Sequence, residues 1–401
     1  MTVQQIYNLV NATTKEVLGE TAVVNEDLSN IVDIGNQVFG ANAVDNYVKT
    51  LVDHIGRVIF VNRPYNGSAP SVLMDSWEFG SVLEKIQADM PEASENKSWE
   101  LTDGTEYSPN VFYKPKVSAK FFNSKTTFEV DLSFTQLQVK EAFSDAGQLN
   151  AFLSMLYNSV EKSFAVKFDS LIMSTINNAT AQTLYAEFPS VTDGDYSKSD
   201  GVKAVNLLAR YNATLETPLT PEQALRDAEF LRYASGEIRK YVARLAKMST
   251  LFNVSGKARF TPKDRLHVVF LSDFVINMET VLQSDTFHNE LTALPNGFET
   301  VPYWQGVQGA GDSAKPYGLD GIGQIHVNIN DGQAGNGVEI TNASGAILGV
   351  MFDHDALGVT NLERRVTTNF NPKAEFYTNF YKMDAGYFND LDENFVVFFV
   401  A

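Results

Sequence analysis

Residues 145–180 read DAGQLNAFLSMLYNSVEKSFAVKFDSLIMSTINNAT and predict one long helix. Asp145 and Gln148 have the spacing of a capping pair for its first turn. At 1.5 Å per residue the helix would be about 50 Å long, so we expect it to be the spine helix of the fold. A long core helix of an α+β enzyme would show the same pattern. The apolar residues recur every three to five positions, the spacing of one helix face: Leu149, Leu153, Leu156, Val160, Phe164, Phe168, Leu171 and Ile176.

The composition is that of a globular protein with material for two or three domains. The chain has 401 residues, of which 44% are hydrophobic and 12% aromatic. Its formal charge of −18 argues against a surface that binds nucleic acid by neutralising phosphates. It has no cysteine, which excludes disulfides and thiolate sites. Residues 1–20 lack a secretory signal pattern, and no apolar run reaches the length of a membrane span.

The first 115 residues predict an arm, one helix, one strand and a long polar stretch that could form no core by itself. Residues 1–41 are polar and predict an arm, with a brief amphipathic piece at 28–38. A helix is expected over 42–56, where Gly56 suits a left-handed C-terminal position, followed by a strand over 57–61. Turn residues and polar side chains then continue to residue 115. This stretch predicts either a solvated loop or an extended protrusion that reaches a partner.

Charge along this extended stretch reverses sign. Between residues 110 and 125 there are four lysines and no acid. Between residues 71 and 107 there are two lysines and nine acids, namely Asp75, Glu78, Glu84, Asp89, Glu92, Glu95, Glu100, Asp103 and Glu106. Ordinary charge scatter on a solvated loop would give the same composition.

The remaining chain alternates helices and strands. Residues 117–133 predict a strand, a turn and a second strand, and Thr220 with Pro221 begins a helix that continues to about residue 248. A buried strand at 266–271 and a helix at 272–282 follow, which suggests one α/β domain. After a glycine-rich segment, strand-like sequence returns at 347–359 and 363–381. The last strand, 395–400, is apolar enough to be buried on both faces.

No motif for catalysis or cofactor binding is found. The five histidines form no pair at helical spacing and no zinc-hydrolase motif. Asp353, His354 and Asp355 could hold a metal, but Asp and His at a strand end commonly bond the backbone instead. Leu251 and Ala258 break the phosphate-loop pattern. Gly318, Gly321 and Gly323 have the dinucleotide spacing in reverse, and no Gly-x-Ser-x-Gly elbow is present. We therefore predict no catalytic, cofactor or metal residue, and an enzyme would lack a candidate site.

The order of these elements resembles the phage major capsid proteins of the Hong Kong 97 type, in particular those of short-tailed phages of the phi-29 kind. The stretches that carry the resemblance are 47–56, 73–86, 142–172, 266–282 and 350–388. The family implies an α+β fold with a spine helix and the following parts: an N-terminal arm (1–60), an extended E-loop (61–116), a peripheral domain (117–195 and 345–401) and an axial domain (196–344).

Two features of some family members are not expected here. The chain ends directly after its last strand, so an appended immunoglobulin-like domain is not predicted. No lysine or asparagine can be aligned with the isopeptide crosslink that some of these capsids form. No long helical extension precedes the arm, so the resemblance implies a separate scaffolding protein.

The resemblance implies a structural, non-enzymatic protein without a cofactor. It would self-assemble, as pentamers and hexamers, into the icosahedral head of a tailed phage, with a portal protein at one vertex. The head would enclose double-stranded DNA without specific binding, and assembly would occur in the host cytoplasm, without a membrane. Flexible arms suit subunits that close a large symmetric surface. The alternatives are an encapsulin-type shell that encloses cargo enzymes and a β-rich surface binding protein.

The charge reversal suggests a contact between subunits. If the E-loop lies over a neighbour, acids such as Glu92 and Glu95 need a basic surface there. By analogy with the fold, we expect this surface to contain Arg364, Arg365 and Lys373. Each exposed pair would contribute about 0 to 1 kcal/mol and be screened beyond about 10 Å at 0.1 M salt. Such contacts would guide assembly more than they stabilise it.

Overall fold

The computed structural model describes residues 3–19, 72–73, 83–88, 90–91, 93–96, 98–107, 110, 112–135, 146–191, 196–283, 294–295, 297–304, 324–328, 337–341, 347–374 and 376–401. The described helices are α1 (Val3–Leu18), α2 (Ala146–Glu187), α3 (Leu207–Asn212), α4 (Pro221–Ala224), α5 (Ala228–Leu245) and α6 (Ser272–Gln283). The strands are β1 (Leu83–Ala88), β2 (Val117–Phe122), β3 (Lys125–Thr135), β4 (Ala204–Asn206), β5 (Leu266–Leu271), β6 (Glu299–Val301), β7 (Gln324–Asn328), β8 (Gly337–Thr341), β9 (Ile347–Asp353), β10 (Leu357–Asn371), β11 (Phe376–Asn389) and β12 (Phe395–Phe399).

The predicted spine helix is confirmed as α2, which has 42 residues and is longer than expected. It continues beyond residue 180 because the following residues contain no helix breaker, and it ends just before Phe188 and Pro189, since a residue that precedes proline disfavours helical geometry. From Phe168 onward most of its side chains are buried, on several faces and not along one stripe. The helix contacts strands of the three-stranded sheet, of the five-stranded sheet and of the β7–β8 pair, which explains this burial.

The first of these sheets has the strand order β10-β11-β3 and is antiparallel throughout. Buried and partly exposed residues alternate along β11, as expected for a strand with one face on the core. Its buried face, which includes Tyr381 and Met383, belongs to the same core as α2. The opposite face carries polar and charged side chains such as Arg365 and Lys382.

The second sheet has the order β4-β12-β9-β5-β6. β12 lies inside it, parallel to β4 and antiparallel to β9, and all five of its residues are buried. The prediction of a last strand buried on both faces is confirmed. This one sheet takes strands from both predicted segments, 196–344 and 345–401.

The helix predicted from Thr220 to about residue 248 is in fact two helices. Thr220 and Gln223 do form the capping box, but α4 ends after one turn at Ala224. Asp227 then caps a new helix by accepting a hydrogen bond from the Phe230 N–H at 2.9 Å. An aspartate side chain that competes for backbone donors favours a helix start over a helix interior, which explains the break.

Two further stretches that were predicted as strand are each interrupted by a turn. The stretch 347–359 contains β9, a turn and the start of β10, because the Asp353 carboxylate accepts a hydrogen bond from the Asp355 N–H at 3.0 Å. The stretch 363–381 crosses a second turn, in which the Asn371 side chain accepts from the Lys373 N–H at 3.0 Å. Short polar side chains that bond their own backbone are typical turn formers.

At the N-terminus, the expected polar arm contains a helix that the sequence analysis missed. α1 buries Thr13 and Thr14, and its Val17 and Leu18 pack against the core. It ends at Gly19, whose φ of 97° is accessible mainly to glycine. The predicted elements at 28–38, 42–56 and 57–61 lie outside the described residues. None of the described helices is both long and apolar enough to cross a membrane.

Candidate assembly interface

A two-stranded hairpin is built on β1 and β2, which pair antiparallel from Leu83 opposite Phe122 to Ala88 opposite Val117. The stem thus uses residues from both sides of the predicted boundary at 116/117. Between the strands, every described residue from Met90 to Lys116 is exposed. We call residues 89–116 the hairpin tip.

A charged cluster at the base of the hairpin connects the stem to the rest of the chain. The Lys85 ammonium lies 2.7 Å from the Asp390 carboxylate and 2.8 Å from that of Glu393. The Lys120 ammonium, on the other strand, lies 2.9 Å from Asp390 and 2.5 Å from Asp392. The three acids belong to the turn between β11 and β12. Both strands of the stem are therefore attached to the same turn.

The same turn is also held by two residues of another segment. The Lys257 ammonium lies 2.7 Å from Asp392, and the Arg259 guanidinium lies 3.4 Å from Glu393. Arg259 also donates a hydrogen bond to the Gln87 side chain of the stem. In addition, the Phe122 ring of the stem lies 5.0 Å, centroid to centroid, from the Phe388 ring of β11.

The cluster changes the acidity of its members. Burial by itself would raise the pKa of Asp390, but hydrogen bonds from Lys85 and Lys120 outweigh burial and hold this pKa below its ordinary value. For Asp392, hydrogen bonds from Lys120 and Lys257 likewise outweigh burial and lower the pKa strongly. The pKa of Lys120 is raised because its two carboxylate partners outweigh the opposite effect of burial. All three groups are therefore held in their charged forms.

One predicted interface residue, Arg364, is not on the surface. Its side chain is only 6% exposed, and its guanidinium lies 3.1 Å from the Glu161 carboxylate on α2. It also lies 5.1 Å from the centre of the Phe164 ring. Arg364 points into the core beside the spine helix, so in this structure its side chain is not exposed to a neighbouring loop. Alternation along the strand explains this, since adjacent residues face opposite sides of a sheet.

The other predicted interface residues are dispersed. Arg365 is exposed on the outer sheet face, where its guanidinium lies 2.5 Å from the Asp384 carboxylate. Lys373 lies exposed in the turn between β10 and β11, and Glu95 lies exposed on the hairpin tip. Glu92 is outside the described residues. Among the described residues, the structure of one chain does not bring Glu95 together with Arg365 or Lys373.

Exposed aromatic side chains on the hairpin tip were missed by the sequence analysis. Trp99 is 95% exposed, Phe112 85% and Tyr113 83%. The signal was present in the sequence, because large aromatic residues in a stretch without a core-forming period have no partner inside their own chain.

The candidate metal residues make other contacts. The His354 and His267 rings lie side by side, with 3.0 Å between the nearest nitrogens, and Asp355 lies 2.5 Å from the Arg265 guanidinium. Burial and the neighbouring His354 lower the pKa of His267. Within the described ranges, no three side chains of His, Asp or Glu converge as metal ligands.

Several solved structures and one protein family are similar to this chain. No curated protein sequence matches the chain. Among solved structures, the capsid of Staphylococcus phage Andhra is similar with a TM-score of 0.53 and 11% identity, over 85% of this chain and 86% of that chain. At this identity the likeness concerns the fold alone. Capsid chains of cyanophage P-SCSP1u and phage PhiM1 each match with a TM-score of 0.44 and 10% identity, over 85% of this chain and 90% and 87% of theirs. A model of the phi29-like phage major capsid protein matches residues 10–399. Because this match spans nearly the whole chain, the protein belongs to the phi29-like phage major capsid proteins, the structural subunits of phage head shells.

Proposed function

We propose that many copies of this chain, as pentamers and hexamers, form the icosahedral head of a tailed phage and enclose its double-stranded DNA. The family match over residues 10–399 carries this proposal. The negative charge of −18 supports it, because a lining that bound phosphates tightly would hinder packing and release of the genome. The role is structural, without catalysis or a cofactor.

The fold is proposed to be of the Hong Kong 97 type. A long helix between two sheets and a projecting hairpin support this assignment. The proposed parts are the arm (1–60), the E-loop (61–116), the peripheral domain (117–195 and 345–401) and the axial domain (196–344). Because β9 and β12 share a sheet with β5, the C-terminal segment contributes to the axial domain as well.

Assembly is proposed to occur in the host cytoplasm with a separate scaffolding protein and a portal protein at one vertex. The hairpin tip would extend over a neighbouring subunit. Its acids, Glu92 and Glu95, need a basic surface there, and Arg365 and Lys373 provide one candidate. Nothing in the described part of the chain favours the encapsulin alternative.

Electron microscopy of the purified full chain, alone and with its scaffolding protein, tests the proposal. We expect closed shells of uniform diameter that are empty when no portal or packaging machinery is added. Shells recovered from infected cells should contain DNA that nuclease does not reach. Shells that instead hold a constant protein cargo would favour an encapsulin. A chain that remains monomeric under all these conditions would contradict a capsid role.

A further inference from the structure

The hairpin tip carries an apolar surface that the described part of its own chain does not cover. Six large apolar side chains are more than half exposed: Met90, Trp99, Leu101, Tyr107, Phe112 and Tyr113. A soluble protein seldom exposes so many large apolar groups in one segment unless they bind something. Acidic side chains, including Glu95, Asp103 and Glu106, are exposed among them. The tip is therefore both apolar and acidic.

A second surface has the complementary chemistry. Residues 244–263, here called the basic patch, contain no acid although the chain carries a net charge of −18. They contain five cations: Arg244, Lys247, Lys257, Arg259 and Lys263. Lys257 and Arg259 are engaged with the turn at the hairpin base, whereas Lys247 and Lys263 are exposed. Positive charge is therefore directed to solvent.

The basic patch also exposes large apolar groups. A bridge between Ser249 and Arg259, with 2.9 Å between donor and acceptor in both directions, brings its two halves together. This pairing places Met248 opposite Phe260, and Leu251 is close by in sequence. The three side chains are 43%, 49% and 57% exposed, respectively. Exposed apolar side chains together with exposed cations are what an apolar and acidic partner requires.

We propose that the hairpin tip of one copy docks on the basic patch of a second copy. Both surfaces are exposed in the single chain, so the contact is between molecules. Trp99, Phe112 and Tyr113 would bury on the order of 600 Å², close to the roughly 800 Å² that one partner contributes to a stable interface. The apolar side chains would hold the contact, and the charges would orient it.

The two surfaces are different, so the contact is heterologous. Each copy offers its tip to one neighbour and its patch to another, which generates a ring when the rotation closes. The inference thus rests on the proposed shell function and names the chemistry of one of its contacts. It replaces the Arg365 and Lys373 surface as the partner of the hairpin tip.

Disulfide trapping distinguishes the two partners, because the chain has no cysteine of its own. The test variant is Ser98→Cys with Thr250→Cys, in which both positions are exposed. A disulfide needs Cα atoms within about 7 Å, so it reports direct docking. The matched control is Ser98→Cys with Thr367→Cys, which lies on the exposed sheet face beside Arg365.

Under oxidising conditions in assembled shells, we expect the Thr250 pair to give a ladder of multimers that reductant abolishes. The Thr367 pair and each single cysteine should give no ladder. A ladder from the Thr367 pair alone would overturn the inference and favour the Arg365 surface. Failure of both pairs within intact shells would overturn the inference while the shell function stands.

A mixing experiment tests the head-to-tail geometry. The tip variant, Trp99→Ser with Phe112→Ser, and the patch variant, Lys247→Glu with Lys263→Glu, should each fold but form no shells. Mixed together, they retain only one functional contact, so we expect pairs and not rings by sedimentation. Ile276→Ser, an exposed apolar change on α6, should assemble normally. Shells from either variant alone at the wild-type yield would refute the docking.

Discussion

At the residue scale, the close packing of β9 against β5 depends on one position without a side chain. Gly349 on β9 lies against the Phe270 ring of β5, and an added Cβ would overlap that ring and approach the Val269 carbonyl oxygen to 2.8 Å. A backbone atom cannot move aside as a flexible side chain can. The chain therefore needs glycine here because of space.

Gly349→Ala should lower the free energy of unfolding by about 1 to 3 kcal/mol, the usual cost of overpacking a core. Urea denaturation with circular dichroism measures this. The matched control is Gly236→Ala within α5, where an added Cβ meets nothing within 4 Å. Alanine in a helix interior should stabilise this position by up to about 1 kcal/mol. Equal stability of the two variants would show that the β5–β9 contact tolerates a methyl group.

A second prediction at this scale concerns Arg364, which is buried against Glu161 and Phe164. Arg364→Glu would place two carboxylates together in a buried site and should cost about 3 to 5 kcal/mol. Arg365→Glu, on the exposed side of the same strand, should change stability by less than about 1 kcal/mol. Thermal melting of the two variants compares them. An Arg364→Glu protein that melts like the wild type would contradict the buried position of this side chain.

At the element scale, elements with a clear local sequence pattern could be predicted, whereas contacts between residues far apart in the sequence could not. The spine helix and β12 were predictable because their apolar residues have a clear period or form an unbroken run. α1 was missed because its apolar residues are spaced among polar and β-branched ones, and its burial depends on tertiary packing. The cluster at the hairpin base could not be predicted, since Lys85 and Asp390 are 305 positions apart. The sheet order depends on similar long-range pairings.

The attachment of the hairpin should depend on the charge of Asp390. Its pKa is below the ordinary value near 3.8, so its stabilising contribution is present above that pH and is lost as pH falls through the lowered pKa. The hairpin should therefore stay attached at pH 4 and detach only in stronger acid. Asp390→Asn should loosen it at neutral pH, at a cost of about 1.5 to 3 kcal/mol for the charged hydrogen bonds.

Spin labels at Ser98→Cys and Lys198→Cys would report this attachment as a distance distribution in the isolated subunit. We expect a narrower distribution for the wild type than for Asp390→Asn. The control is Glu129→Gln, which removes an exposed ion pair with Lys382 elsewhere and should leave the distribution unchanged. Identical distributions in all three proteins would show that the cluster does not set the direction of the hairpin.

At the scale of the whole molecule, folding and assembly depend on different parts of the chain. β12 holds the five-stranded sheet together from inside, and its Val396, Val397 and Phe398 are completely buried. The hairpin tip, in contrast, is exposed along its described length and contributes no buried side chain. The sequence could predict the burial of β12 from its unbroken apolar run. It could not predict which exposed residues meet a partner, because that information lies in a second copy.

Deletion of residues 394–401 should therefore abolish folding. It removes β12, exposes the unpaired edges of β4 and β9, and takes away the Asn394 carbonyl oxygen that accepts the Asp353 N–H at 3.0 Å. Exposed edges of apolar strands pair with other chains, so we expect aggregated protein in the pellet after expression. The control replaces the hairpin tip, residues 89–116, by an Asn-Gly turn that joins the hairpin strands. This protein should be soluble, with a native circular dichroism spectrum, and should form no shells. A soluble, assembling protein without residues 394–401 would contradict the central role of β12, because the sheet would then close without its inner strand.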